Sequence, residues 1–227
     1  MEKWGRELIR GCQQLGIRLN EEQVLCFQTY SNQLRFWNRQ ARLISSCDEE
    51  KMLSRHFLDS LSLFQVLDLR VGARILDVGS GAGFPGFPLK ICRPEVYLTV
   101  LEPKERRYFF LKNLTTTLGL DKITVLCKRA QEVCQDPSLR KAFDLVLARA
   151  VADMKELVSI CFPFVREGGI FVAYKGRRVE EEMAKAQPNI EEVGAQVLGV
   201  VRVQVPGTAA RRHLVFMQRP YGDKGLR

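Results

Sequence analysis

The sequence predicts a doubly wound α/β fold with an N-terminal helical cap, and three observations predict it. Up to about residue 70 the apolar residues recur only at helical spacing. From residue 72 short β-rich apolar runs alternate with helical stretches, the pattern of parallel strands joined by crossover helices. The first of those runs leads directly into Asp77-Val78-Gly79-Ser80-Gly81-Ala82-Gly83-Phe84-Pro85-Gly86. A glycine loop between strand and helix lies where open parallel sheets bind their ligands.

Taken in order, Trp4, Leu8, Cys12 and Leu15 form the first helical stripe, and Val24, Phe27, Tyr30, Leu34 and Trp37 the second. Leu53, Phe57, Leu61 and Phe64 form a third, with Asp48 placed as its N-cap and Glu49 and Glu50 in its first turn, where carboxylates suit the helix dipole. Residues 1–70 thus read as a helical extension and 71–227 as the ligand-binding domain, with no linker that would separate them. Strands are expected at 74–78, 96–101, 123–127, 143–147 and 170–174. The last two runs, 197–205 and 213–218, flank Pro206-Gly207-Thr208-Ala209-Ala210 and read as an antiparallel hairpin closing one sheet edge.

With 227 residues, 46% hydrophobic and 27% charged, the chain has the composition of an ordinary globular protein, long enough for one packed domain and an appendage. The first seven residues lack the apolar core of a signal peptide, and no apolar run approaches membrane-spanning length, so a soluble cytoplasmic protein away from membranes is expected. Seven cysteines without a C-x-x-C pair fit reduced thiols, and only two histidines, His56 and His213, leave no cluster of metal-ligand spacing. No metal is expected. The net charge is +9; residues 1–70 hold 10 Lys/Arg against 9 Asp/Glu, leaving 25 against 17 beyond them. A basic ligand-binding part attracts polyanions, although scattered solvated cations would equally serve solubility.

Glycines suit the loop because its tight turn needs φ > 0 and a ligand must approach the backbone. Asp77, just before it, can meet a cationic amino group; Glu102 ends the second strand and can accept from ribose hydroxyls, or merely cap the next helix through Pro103. Gly81-x-Gly83-x-x-Gly86 also satisfies the dinucleotide fingerprint, which keeps a nicotinamide-dependent oxidoreductase open. Phe84-Pro85 weighs against it, since proline removes an N–H that a pyrophosphate would use. Arg149 ends the fourth strand and can hold a phosphate or guanine edge, or form a structural salt bridge. Arg55, His56 and Asp59 share one helical face; Lys175-Gly176-Arg177-Arg178 and Arg211-Arg212-His213 are phosphate contacts or solvated charge runs. The stretch 104–112 mixes charge with aromatics, as a base-stacking surface does, but its position after the second strand reads instead as a crossover helix with its apolar residues on the sheet and its charges in water.

Asp77 through Gly83, the strand-end Glu102, the fourth strand and the Gly168-Gly169 turn resemble the class I methyltransferase pattern, whose sheet has seven strands. Arg55-His56-Phe57-Leu58-Asp59-Ser60-Leu61, the glycine loop, Ala148-Arg149-Ala150-Val151-Ala152 and Arg212-His213-Leu214 are similar to the bacterial small-subunit ribosomal RNA guanine-N7 methyltransferases, also called glucose-inhibited division protein B. The likeness runs from about residue 30 to 219 and is loose over 37–44. It implies S-adenosylmethionine as cofactor, with S-adenosylhomocysteine as product, and small-subunit ribosomal RNA or the ribosomal subunit as partner of a monomeric enzyme. It places Gly79 and Phe84 on the cofactor beside Asp77, Gly81, Gly83 and Glu102, Ala130 and Gln131 on the adenine, and Arg149 between cofactor and substrate. Two departures stand out: Gln131 replaces the family's usual Glu, and Glu102-Pro103 its usual Asp-Ser. Guanine N7 already offers a lone pair, so methyl transfer releases no proton and orientation and electrostatics suffice. A catalytically silent RNA-binding protein on the same scaffold is the remaining alternative.

Overall fold

Runs of leucine, isoleucine and valine lie side by side as five parallel strands, β1 (Arg74–Val78), β2 (Tyr97–Leu101), β3 (Ile123–Leu126), β4 (Phe143–Arg149) and β5 (Val165–Lys175). The structure, a computed structural model, describes residues 3–209 and 211–222. Strands β6 (Gln196–Val203) and β7 (Arg212–Gln218) pair antiparallel, with β7 inserted against β5, giving the order β3-β2-β1-β4-β5-β7-β6. The expected hairpin therefore forms one edge, although Ala210 of its turn lies outside the described residues.

Side chains alternate between two buried layers, as strand geometry requires. Leu145 and Leu147 of β4 face one side, packed with α1 (Lys3–Gln14), α2 (Glu21–Ala41), the helical segment 53–65, α5 (Gly86–Cys92) and α6 (Glu105–Thr117). Val146 and Ala148 face the other, against α8 (Met154–Cys161) and α9 (Val179–Glu192). The helices of the first 70 residues thus share a core with the sheet. Its aromatic centre is Phe57, whose ring meets Trp4, Phe27, Tyr30 and Phe84 edge-on at 5.1–5.7 Å. Each such pair adds about 0.5–1.5 kcal/mol beyond its area.

Four local expectations are corrected. Asp48 is not an N-cap: Ser45 caps α3 (Ser46–Glu50) by accepting from Asp48 N, while the Asp48 carboxylate takes bonds from Ser45 and Arg55. The third helical stripe is not one regular helix; Leu53–Leu58 winds as a π-helix into the short α4 (Asp59–Leu61) and a 3-10 turn Ser62–Gln65. Such wide turns concentrate at functional sites. Gly168-Gly169 is not a turn but lies within β5, where Gly168 (φ +70°) adjoins a register shift against β4 that absorbs the extra residues as a bulge. Finally, not every aromatic of α6 packs on the sheet. Phe110 is buried, but Phe109 is 58% exposed.

Candidate functional site

The carboxyl ends of β1, β2, β4 and β5 converge on the glycine loop. The chain leaves β1 through Gly79 (φ +67°), Gly81 (+63°) and Gly83 (+96°) before α5 begins at Gly86. The amides of Gly79 and Ser80 donate to Leu101 O at 2.8 and 3.2 Å, tying the loop to the end of β2. From the other side Tyr30 of α2, fully buried, donates its hydroxyl to Ala82 O at 2.5 Å.

Asp77 is completely buried at the end of β1. Its Oδ2 accepts from Ser80 Oγ and from Gly86 N at 2.9 Å, while Oδ1 has no protein partner. Burial pushes its carboxyl up to about 6, against the lowering effect of those two bonds. A buried acceptor with one unused oxygen is costly unless a donor arrives. A cationic amino group meets that need, so the residues present fit the amino end of S-adenosylmethionine.

Glu102, also buried, spans the loop and the next helix: Oε2 accepts from Gly81 N and Oε1 from Lys104 N, each at 2.9 Å. It braces the turn before α6 through the N–H of Lys104 and does not cap the helix itself, and each oxygen keeps a second lone pair. Beyond β3, Ala130 opens the short α7 (Ala130–Val133) as a buried residue, with Gln131 exposed beside it.

Arg149 closes the opposite flank. Its guanidinium reaches back to the π-helical segment, where Nη1 donates to Asp59 Oδ2 (2.8 Å) and Arg55 O (3.1 Å), and Nη2 faces His56 Nδ1 (3.0 Å). It also stands 5.1 Å over the ring of Phe84, which is stacked between Tyr30 and His56. A guanidinium only donates, so His56 Nδ1 accepts and the ring proton sits on Nε2, a buried atom without a protein partner. Burial, then Arg149, lowers the His56 pKa to about 4, so the ring is neutral at physiological pH. Asp59 is 1% exposed and also accepts from Arg212 Nε at 2.6 Å, so one carboxylate holds two arginines. Immediately after Arg149, Ala150 adopts φ +56°, a left-handed conformation rare for alanine, and Val151 lies over Gly79.

A cavity of about 530 Å³ opens here, lined by Arg55, His56, Asp59, Arg149, Lys175 and Arg212 among others. The Arg55 side chain leans on Asp48 at 2.5 Å, and Lys175 is held by Glu182 (2.7 Å) and Ala152 O (2.8 Å). Arg177, Arg178 and Arg211 are exposed beyond it. Sequence reasoning missed three contributors: Tyr30, indistinguishable from the apolar stripe of α2; Glu182, one of three consecutive glutamates; and the sharing of Asp59, which joins residues far apart in the chain. Among the described residues no cluster of His, Cys, Asp or Glu is placed to hold a metal ion, and no helix is long and apolar enough to cross a membrane.

Residues 23–215 match the model of a family described as GidB, rRNA small subunit methyltransferase G. The chain is 40% identical over 215 residues to the ribosomal RNA small subunit methyltransferase G of Roseiflexus castenholzii, covering 93% of this chain and 90% of that protein. It is 38% identical over 213 residues to the protein of the same name from Dehalococcoides mccartyi, covering 94% and 90%. Among solved structures, M. jannaschii TYW2 in complex with AdoMet superposes with a TM-score of 0.53 at 14% identity, over 66% of this chain and 70% of that one. The YcgJ protein of Bacillus subtilis superposes with a TM-score of 0.56 at 12% identity, over 74% and 100%. The structural likenesses speak for the methyltransferase fold, and the sequence match over most of the chain goes further: the protein belongs to the GidB family of small-subunit ribosomal RNA methyltransferases.

Proposed function

We propose that this protein transfers a methyl group from S-adenosylmethionine to N7 of a guanine in small-subunit ribosomal RNA, acting as a cytoplasmic monomer. Family membership makes it an S-adenosylmethionine-dependent ribosomal RNA methyltransferase; neither the oxidoreductase nor the silent RNA-binding alternative has support. The observation that carries the finer reading is the cavity beside the glycine loop, whose two arginines, Arg149 and Arg212, are held by the single buried carboxylate of Asp59.

In this reading residues 71–227 hold the cofactor and 1–70 supply one wall of the substrate cavity. Asp77 Oδ1 takes the amino group; Gly79, Gly81, Gly83 and Phe84 shape the loop around the methionine end; Glu102 accepts from the ribose; Ala130 and Gln131 meet the adenine. When bound, the cofactor supplies a methyl group activated by a sulfonium and leaves as S-adenosylhomocysteine. Arg149 positions the guanine against it. The RNA backbone is met by Arg55, Lys175, Arg177, Arg178, Arg211 and Arg212, with His56 beside the base. Guanine N7 releases no proton on methylation, and a neutral His56 bound to a guanidinium is a fixed donor rather than a base.

The test is transfer of labelled methyl from S-adenosylmethionine to ribosomal RNA from cells lacking this protein, followed by nucleoside analysis. Labelled 7-methylguanosine is expected. Another methylated nucleoside would overturn the atom assignment. In the same assay Arg149→Ala is expected to lower kcat/KM about 100-fold, while the melting temperature falls less than in Asp59→Ala because Arg212 still compensates Asp59. Unchanged turnover would remove Arg149 from the site.

Cofactor binding is also expected to depend on pH through Asp77. Its carboxyl is raised by burial to about 6, so the ionised form that an ammonium requires is scarce at pH 5. Calorimetric titration is expected to give an affinity about tenfold weaker at pH 5 than at pH 7. For stability the sign is opposite: the contribution of this raised pKa is full below the unfolded value near 4 and is lost as pH rises through 6. A flat affinity profile over that range would place the amino group elsewhere.

A further inference from the structure

Helices α2 and α6 run antiparallel. Asn113 Nδ2 donates to Gln33 Oε1 at 3.2 Å, and one turn further along α2 and back along α6 the ring of Trp37 meets Phe110 edge-on at 6.0 Å. The last turns of α2 therefore stand beside the first turns of α6, which leave the sheet at the carboxyl end of β2. This is the ligand-binding edge, on the far side of the glycine loop from Arg149 and Lys175.

That corner combines two features rarely left in water together. Phe36 is 62% exposed and Phe109 58% exposed, although Tyr30 and Phe110 on the same helices are fully buried. Around them Arg35, Arg39, Arg42, Lys104 and Arg106 are exposed, and no acidic group among the described residues lies within ion-pair distance of any of the five. The nearby acids are few: Glu49 is engaged by Asn38 Nδ2 at 3.0 Å, and Glu105 is exposed. Two depressions flank the end of α2, one lined by Trp37, Gln40, Arg106 and Phe109, the other by Arg39, Arg42 and Arg107. Arg107 in turn lies 3.9 Å from Glu102, the carboxylate that braces Gly81, so the surface is continuous with the cofactor loop.

We propose that this corner is a second RNA-contact surface, on which Arg39, Arg42 and Arg106 bind phosphates and Phe109 stacks on a base of an unpaired stretch of the substrate. The inference rests on the reading that RNA is the substrate. Charge selects a polyanion, and solvent-exposed aromatic rings interleaved with unpaired guanidinium groups are the platform on which single-stranded RNA is held, because every base offers a π-face. With basic groups on both sides of the glycine loop, the RNA is gripped on either side of the target nucleotide, which fixes its approach to the cavity. The stretch 104–112 on its own suggests a helix with charges in water; the exposed ring of Phe109 and its placement against α2 give the second face a role.

The experiment measures direct binding of the wild type, the triple variant Arg39→Ala/Arg42→Ala/Arg106→Ala, Phe109→Ala and Phe109→Trp to naked small-subunit ribosomal RNA across a salt series, and to assembled small subunits at one salt concentration, with methyl transfer measured in parallel. The triple variant is expected to bind at least about tenfold more weakly, with a log–log salt slope smaller by about 2, since each phosphate contact to a single strand contributes about 0.7. Phe109→Ala is expected to weaken binding at least about fivefold with no change of slope, and Phe109→Trp to restore it. Affinity for S-adenosylmethionine is expected to stay at the wild-type value in all three. Wild-type RNA affinity and slope in the triple variant would overturn the proposal, as would losses seen only with assembled subunits, which would put a ribosomal protein on this face. Weakened RNA binding by the variants of a wild type that transfers no methyl would sustain this surface and sink the assigned reaction instead.

Discussion

Gly83→Ala is expected to abolish measurable S-adenosylmethionine binding and to lower stability by about 2–4 kcal/mol. Gly83 sits at φ +96°, where an L side chain is strained, and a Cβ there runs into Tyr30 Oη and approaches Phe87 Cδ2 at 3.1 Å. Tyr30 cannot retreat, because its ring is fully buried and stacked on Phe84, and displacing it breaks the bond to Ala82 O that anchors the loop to α2. Gly81→Ala is the informative contrast. It shares the left-handed conformation, but the nearest side-chain atom to its Cβ is Arg107 Nη1 at 3.7 Å, an ordinary contact, so only the backbone cost of about 1–2 kcal/mol applies. Calorimetric binding and thermal melts of the two variants would separate collision from strain. Near-wild-type cofactor affinity in Gly83→Ala would mean that the loop is not where the cofactor is held.

Asp59→Ala carries the second large effect. The carboxylate is 1% exposed, and its removal leaves Arg149 and Arg212 facing each other with no intervening anion. Breaking a buried pair in this way costs about 3–5 kcal/mol, a large share of the 5–15 kcal/mol typical of a whole domain. The urea midpoint is expected to fall accordingly, with methyl transfer lost because Arg149 is no longer oriented. In a double-mutant cycle, Arg212→Ala on top of Asp59→Ala is expected to cost less than Arg212→Ala alone, since the second change removes a charge already unpaired. Full additivity would show that the shared carboxylate does not couple the two arginines.

The legible parts of the fold were those governed by short-range rules. The parallel strands are buried on both faces, so each stands out as an apolar run, and the bounds of β1 agree with the expected 74–78. The glycine loop is equally local, because left-handed turns demand glycine. What stayed hidden depends on partners distant in sequence. Ser45 rather than Asp48 caps α3 because the carboxylate is drawn to Arg55, seven residues on. The π-helical winding around His56 has no signature in hydrophobic spacing, since the stripe of Leu53, Phe57 and Leu61 looks the same in either winding. Likewise nothing local distinguishes buried Phe110 from exposed Phe109; the docking of α2 decides it. Of the candidate site, the glycine-loop half was legible as a motif, whereas the cavity half was legible only as separate basic strings, with Lys175 and Glu182 or Arg212 and Asp59 joined by the fold alone.

The spacing of those long-range bonds also sets a schedule. Asp59 waits for Arg212, 153 residues further along, and Ser60 O for the hydroxyl of Tyr174, 114 residues further along. Because β7 lies between β5 and β6, strand β6 has no place in the sheet until the strand made after it has been inserted. A growing polypeptide can thus form the parallel sheet and the glycine loop early, while the arginine-lined cavity closes only when the late strand arrives, a slow, non-local step. The order of synthesis thus separates the two halves of the site: a chain that ends before β7 has its glycine loop but lacks the second arginine on Asp59, so the cavity wall at that carboxylate is the last part to be assembled.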